Sequence, residues 1–270
     1  LNIIFKMIDK IIYINLEERE DRKLYIEKML DGLDLEYQRF AAIRPSLDDL
    51  IPKNGKYHEF YKKNSTRVAR HAASDFFEEE RVEYAAADYK KYLLGTFGCY
   101  ISHYRIHEMA LHNNWGNYLV LEDDAKIHPS SLSMLQKKIE QGDFGDDWDI
   151  IRSTWLSTNE HIKKYNYSHP ASKSHTNNCN KNIKDKMLFI QNHYAPQIVK
   201  DIPAFQSSIY GGTHFQLIKG FSSDKILRYL DSEAVIPIDA LYSTHKLESY
   251  EYRSKVLRER AFDSDIHPTH

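Results

Sequence analysis

The chain has 270 residues, 41% hydrophobic and 28% charged, with a net charge of −2. Those values suit one large α/β domain with a sizeable core and exclude global disorder. The near-neutral balance removes the electrostatic case for nucleic-acid binding, and no apolar run reaches the roughly 18–20 residues that span a bilayer.

The first seven residues are apolar but too short for a secretory segment with its flanks, and Met7 is a candidate start with six residues upstream of it. Ile11 to Leu16 reads as a first strand, β-branched and continuous. A charged turn follows, and then Ile26, Met29, Leu30 and Leu33 fall at helical spacing, with Gly32 near the helix end. Strand, turn and helix open a nucleotide-binding α/β unit. Tyr37 to Ile43 is predicted as the second strand. Residues 44–94 are charged and helix-prone and read as a helical insertion. Gly95 and Gly98 punctuate the chain before a helix around Tyr100 to His112.

Tyr118 to Leu121 reads as a buried strand, and three carboxylates, Glu122, Asp123 and Asp124, follow it at once. Carboxylates are expelled from buried strand ends unless a cation compensates them. The carboxyl end of a strand in an α/β sheet is also where ligands dock. The pattern points to a hard divalent cation, Mg²⁺ or Mn²⁺, that takes phosphate oxygens as further ligands. The alternative is an acidic loop capping the next helix. Asn15, at the end of the first strand, is placed to bond a base or ribose, and Arg19 and Arg22 to approach a diphosphate. The alternative for both arginines is a solvated helix start.

Trp148 to Ile151 is predicted as a strand, and residues 157–186 as a long polar loop. Its histidines and Cys179 match no zinc spacing. With only Cys99 and Cys179, the chain has no disulfide framework, which fits a reducing, cytoplasmic compartment. Met187 to Ile190 and Ser208 to Phe215 have strand character, the second around the pair Gly211-Gly212. Ser222 and Ser223 are N-cap candidates for a helix through Leu230. Val235 to Asp239 reads as a short strand ending in another acid. Arg253 to Arg260 is basic, and either lies on an anionic membrane leaflet or is a solvated helix face.

Several blocks together resemble glycosyltransferase family 25, which includes lipo-oligosaccharide galactosyltransferases and collagen galactosyltransferases. They are Ile12-Tyr13-Ile14-Asn15-Leu16 with Arg19, Asp21 and Arg22; Gly98-Cys99-Tyr100-Ile101-Ser102-His103; Val120 to Asp124; Tyr210 to His214; Pro237-Ile238-Asp239; and Asp263 to Ile266. In order they span nearly the whole chain. The resemblance implies one GT-A domain over residues 1–270: a single Rossmann-like, mostly parallel sheet with flanking helices. It implies inverting transfer of galactose from UDP-galactose with Mn²⁺ (or Mg²⁺), to a lipo-oligosaccharide or lipopolysaccharide core. The cysteine count and the basic stretch add the expectation of a cytoplasmic protein at the cytoplasmic face of an inner membrane. On that reading Asn15, Arg19, Arg22, His103 and Asp123 serve the donor. Gly212, Thr213 and His214 line a sugar, and Glu122 and Asp124 hold the metal with Asp265 or His267. Asp239 would be the catalytic base, its alternative being a helix N-cap; the alternative for His103 is a structural role. The chain departs from the family in its longer insertion, in Gln216 where an aromatic is common, and in a triplet that is acidic throughout.

Two rival readings use the same acids. A nucleotidyltransferase or phosphohydrolase calls for a glycine-rich phosphate loop near the first strand, and Asn15 to Arg22 contains no glycine. A nucleotide-sugar-binding protein without activity has no need of an intact acidic triplet.

Overall fold

The computed structural model describes residues 7–33, 36–64, 86–153, 213–242, 246–252 and 261–262. These form a six-stranded sheet in the order β2-β1-β3-β5-β4-β6 with helices on both faces. The strands are β1 (Lys10–Asn15), β2 (Tyr37–Ala41), β3 (Tyr118–Glu122), β4 (Ile150–Ser153), β5 (Phe215–Ile218) and β6 (Ser249–Glu251). β1 runs parallel to both β2 and β3, and β4 parallel to β6. β5 lies antiparallel between β3 and β4. The α/β class and the mostly parallel sheet are as expected, and agree with a GT-A-like fold.

Side-chain alternation along the strands builds two cores. Ile12, Ile14, Tyr118, Val120, Ile150 and Ile218 face one side. There they meet α4 (Ala86–His112), α6 (Ser223–Ser232) and α7 (Ile238–Tyr242), with α2 (Leu47–Leu50) and α3 (His58–Lys63) at the margin. Ile11, Tyr13, Leu119, Leu121, Ile151, Phe215 and Leu217 face the other side, against α1 (Glu20–Asp31) and α5 (Pro129–Glu140). The strands β1, β3, β4 and β5 are therefore covered on both faces, which explains the continuous apolar runs in β1 and β3. The register pairs Ile14 with Glu122, so Asn15 and the acidic triplet emerge level at one edge of the sheet.

Helix α4 corrects the expected break at Gly95 and Gly98, because it runs unbroken for 27 residues through both. Glycine inside a helix costs about 1 kcal/mol against alanine. Gly98 has a packing reason: a Cβ there would lie 2.3 Å from the carbonyl oxygen of Ile43. The contact is pinned by Ser102, whose hydroxyl donates to the Gly98 carbonyl (2.7 Å) and accepts from the Ile43 amide (2.9 Å). The block from Gly98 to His103 thus locks α4 against the chain leaving β2.

The expected strand from Val235 to Asp239 is also corrected. Residues 233–237 have no regular structure, and Ile238 and Asp239 begin α7. The apolar run is buried as a coil and a helix rather than as a strand, a choice that periodicity cannot make over five residues. The further strand that the sheet does use, β6, was not expected. Ser222 sits at the N-cap of α6 but makes no side-chain cap hydrogen bond. Within the expected insertion, residues 44–64 and 86–94 are described and hold α2, α3 and the start of α4. The strand expected at 187–190, the polar loop at 157–186 and the basic stretch at 253–260 lie outside the described residues. No helix among the described residues is long and apolar enough to cross a membrane.

Candidate functional site

A cleft of about 400 Å³ opens at the carboxyl ends of β1 and β3. One wall is apolar, formed by Leu16, Ala42, Ile43 and Leu94; Arg22, Arg44, Lys90 and Lys91 supply positive charge; and Cys99, His103, Glu122, Asp123 and Asp124 form the acidic end. Flat apolar groups and anions are both accommodated by such a surface.

Asp123 is held by two side chains. Its Oδ2 accepts from Asn15 Nδ2 at 2.8 Å and its Oδ1 from an Arg22 guanidinium nitrogen at 3.0 Å. The pair is almost fully buried. Burial pushes the Asp123 carboxyl upward, and the hydrogen bonds from Asn15 and Arg22 pull it back down. Asn15 is itself committed: Nδ2 also donates to the Arg19 carbonyl (3.0 Å), and Oδ1 accepts from Arg39 Nε (3.0 Å). Asn15 therefore sets the position of Asp123. Arg19 forks onto Asp21, with Nε and a terminal nitrogen donating at 2.9 and 2.8 Å, and this holds the Asp21 carboxyl down at about 2. Arg22 lines the cleft and Arg19 does not.

The chain returns to the triplet near its end. Ala261 N donates to the Asp124 carbonyl at 2.7 Å, and the Phe262 ring lies 5.2 Å from the Arg22 guanidinium and edge-on to Tyr25. Asp265 and His267 follow a few residues later, outside the described residues.

Glu122 points to the opposite face, beneath α4. The Thr213 hydroxyl donates to Glu122 Oε1. Cys99 Sγ lies 3.8 Å from the same oxygen and 3.8 Å from Thr213 Oγ1. His103 Nε2 is 3.8 Å from Glu122 Oε1, too far for a hydrogen bond. Burial, then the Glu122 carboxylate, raises the Cys99 thiol well above its usual range. The Glu122 amide donates to the His214 carbonyl at 3.1 Å, which carries the β3–β5 pairing up to the site. Thr213 and His214 are both buried there, and Gly212 lies outside the described residues.

Asp239 stands in the first turn of α7, not at a strand end. Its carbonyl accepts from buried Arg152 at 3.0 Å, and its charge reaches Cys99. It is not part of the cleft wall. The structure thus brings Arg22, His103, Glu122, Asp123 and Asp124 to one cleft, sets Asn15 behind them, and leaves Arg19 and Asp239 off its wall.

Sequence reasoning missed Cys99, Arg39 and Arg152 as parts of this region. Cys99 had a readable signal: it precedes His103 by four residues on one helix, so the two share a face. Arg39 and Arg152 had none, because only the strand order sets them beside Asn15 and α7. The triplet divides between the two faces. Glu122, Asp123 and Asp124 all line the cleft; a carboxylate there suits a hard cation such as Mn²⁺, whereas the Asp123 charge is already balanced by Arg22.

Residues 8–199 match the family model for glycosyltransferase family 25, described as an LPS biosynthesis protein. A "Glycosyltransferase 25 family member" of Anopheles gambiae is 25% identical over 169 residues, 59% of this chain. Another, of Drosophila melanogaster, is 24% identical over 144 residues, 53% of this chain. The chain spans 25% and 20% of the length of these two relatives. The family match takes in the β1 turn, the Gly98–His103 block of α4 and the acidic end of β3, which are the segments that build the cleft. This chain belongs to glycosyltransferase family 25.

Proposed function

We propose that the chain is a metal-dependent, inverting glycosyltransferase that moves galactose from UDP-galactose to a lipo-oligosaccharide or lipopolysaccharide core. The observation that carries this reading is the cleft, whose apolar wall, cationic side and acidic end match the parts of a nucleotide sugar. Ile43, Ala42 and Leu16 offer a surface for the flat base, and Arg22, Lys90 and Lys91 face the diphosphate. Asp123, held in place by Asn15 and Arg22, meets the ribose or donor sugar.

Glu122 and Asp124 would hold Mn²⁺, with Asp265 or His267 as a further ligand; when bound, the ion supplies Lewis-acid stabilisation to the departing diphosphate. Inversion takes a single displacement at the anomeric carbon, and a base removes the acceptor hydroxyl proton as the new bond forms. Asp239 is the proposed base. Its helix is anchored by Arg152, so its carboxylate is carried on a fixed backbone. Thr213 and His214, with Gly212, would border the sugar. We place the enzyme on the cytoplasmic side of a membrane, with the basic stretch from Arg253 to Arg260 resting on anionic lipid.

The test is UDP release from a panel of UDP-sugars, with Mn²⁺ and with a chelator, with and without a truncated lipo-oligosaccharide. We expect Mn²⁺-dependent release that is greatest with UDP-galactose, and loss of Mn²⁺-dependent UDP binding in Asp124→Ala by calorimetry. No release from any UDP-sugar would remove the transferase reading. Unchanged UDP affinity in Asp124→Ala would remove the metal assignment alone.

A further inference from the structure

Cys99, His103 and Glu122 form a second arrangement at the acidic end of the cleft. One ligating atom from each lies within 4.8 Å of the other two, and among the described residues no other trio of Cys, His, Asp or Glu does so. Cys99 and His103 stand one turn apart on α4, and Glu122 comes up from the end of β3. A tetrahedral ion with bonds of about 2.3 Å to sulfur and about 2.0 Å to nitrogen and oxygen sets its ligand atoms roughly 3.3–3.5 Å apart. The sulfur-to-oxygen and nitrogen-to-oxygen separations here are both 3.8 Å. A shift of a few tenths of an ångström closes each of these two separations, and the third, between Cys99 and His103, is within 4.8 Å.

His103 makes a second, independent case. It is fully buried, and neither ring nitrogen has a hydrogen-bond partner among the described residues. Leaving a buried polar group unbonded costs roughly 1–3 kcal/mol, and Nε2 is turned toward Glu122 at a distance no hydrogen bond spans. A cation between the two would satisfy that nitrogen. Thr213 steadies the carboxylate from the other side, as outer partners commonly do for metal ligands.

The donor set decides which cation. Thiolate and imidazole favour zinc-like ions, whereas Mg²⁺ and Mn²⁺ prefer oxygen. We propose that Cys99, His103 and Glu122 form a binding site for a thiophilic divalent cation of the Zn²⁺ class, with the thiol proton released to solvent on ligation. Glu122 also belongs to the Mn²⁺ site under Proposed function, so, if that reading holds, Zn²⁺ at the trio withdraws Glu122 from the donor metal and inhibits transfer.

Cobalt titration of the chelator-stripped full chain tests the site without any donor or turnover, so its failure is separable from failure of the transferase reading. The expected result is a single equivalent of Co²⁺ with a thiolate-to-cobalt charge-transfer band in the near ultraviolet. The band persists in Cys179→Ser and disappears in Cys99→Ser. Zn²⁺ displaces the cobalt, and about a hundred-fold excess of Mg²⁺ or Mn²⁺ does not. Glu122→Gln, a substitution of equal size, weakens cobalt binding at least about ten-fold and keeps the test decisive if Cys99→Ser misfolds. Absence of the band in the unmodified protein, its persistence in Cys99→Ser, or its loss to Mn²⁺ as readily as to Zn²⁺ overturns the proposal.

Discussion

Glu122 and Asp123 are neighbours in sequence and leave β3 on opposite faces of the sheet, where they meet different surroundings. On the α1 side, Asp123 is enclosed by Asn15 and Arg22 and is 9% exposed. On the α4 side, Glu122 is 27% exposed; the Thr213 hydroxyl donates to its Oε1, Cys99 Sγ stands 3.8 Å away, and His103 Nε2, also at 3.8 Å, is beyond hydrogen-bond length. One carboxylate is enclosed by the fold, and the other keeps a hydroxyl partner while lining the cleft. A run of three acids is therefore not three equivalent ligands, because the strand pleat sends Glu122 and Asp123 into different environments.

The largest expected effect lies on the α1 side. Asp123→Ala removes the buried carboxylate that faces the Arg22 guanidinium, and breaking such a pair from one end costs about 3–5 kcal/mol. Urea unfolding at neutral pH measures it. Replacing both partners, as Arg22→Met with Asp123→Leu, should cost less than Asp123→Ala alone. A loss below about 1 kcal/mol in Asp123→Ala would mean that the pair behaves as a surface ion pair, and the contrast between the two faces would be gone.

The next effect belongs to a part of the α4 side that is fully bonded. His107, one turn beyond His103, is buried between the hydroxyls of Tyr118 and Tyr242, each at 2.6 Å, and Tyr118 continues to Ser223 at 3.0 Å. Burial, with a smaller contribution from His103, lowers His107 to about 3. A histidine depressed in the folded state contributes stability that is complete above its unfolded pKa of about 6.5 and is lost as the pH falls from there toward the folded value. Between pH 7 and about pH 5 the loss should approach 2 kcal/mol. Denaturation midpoints at the two pH values in the unmodified protein and in His107→Gln measure it. An equal pH dependence in both proteins would show that His107 is not the group that titrates.

The division between faces also explains what was readable beforehand. The runs of β1 and β3, the α1 periodicity and the acid-rich strand end were legible because each is a local pattern. The cleft's position followed from them, since a charged turn after one strand and carboxylates after another meet only where the strands lie side by side. The α7 segment misled because Val235 to Asp239 is apolar and short, and burial without periodicity fits a coil as well as a strand. Gly98 misled for the opposite reason: its helix-breaking character is real, but the close approach of Ile43 outweighs it. The partners of Asn15 and Asp239, Arg39 and Arg152, come from strands distant in sequence, and no local pattern signals such pairings.

Gly98 gives the third effect, on the α4 face. In Gly98→Ala the new methyl meets a backbone oxygen rather than a yielding side chain. Overpacking of this kind costs about 1–3 kcal/mol, set against about 1 kcal/mol of gained helix propensity. The net expectation is a loss of about 1 kcal/mol, with Cys99 and His103 carried away from Glu122 as α4 shifts. Chemical denaturation gives the first quantity, and cobalt affinity in the same variant gives the second. A variant more stable than the parent would show that the helix moves freely over Ile43.

The smallest stability effect should be at Glu122. Glu122→Gln keeps the size of the side chain and an oxygen for the Thr213 hydroxyl, and removes a charge from a side chain that is 27% exposed. Its unfolding midpoint should stay within the range of ordinary surface substitutions, about ±0.5 kcal/mol, while divalent-cation affinity falls about ten-fold or more. Asp123→Asn should behave in the opposite sense: it weakens the charge-assisted bond from Arg22 inside the protein, so stability falls first and cation affinity follows only as the fold loosens. Measuring both quantities on both variants separates a carboxylate that binds from one that builds. If the two variants changed in the same proportion, the strand pleat would not be what divides their roles.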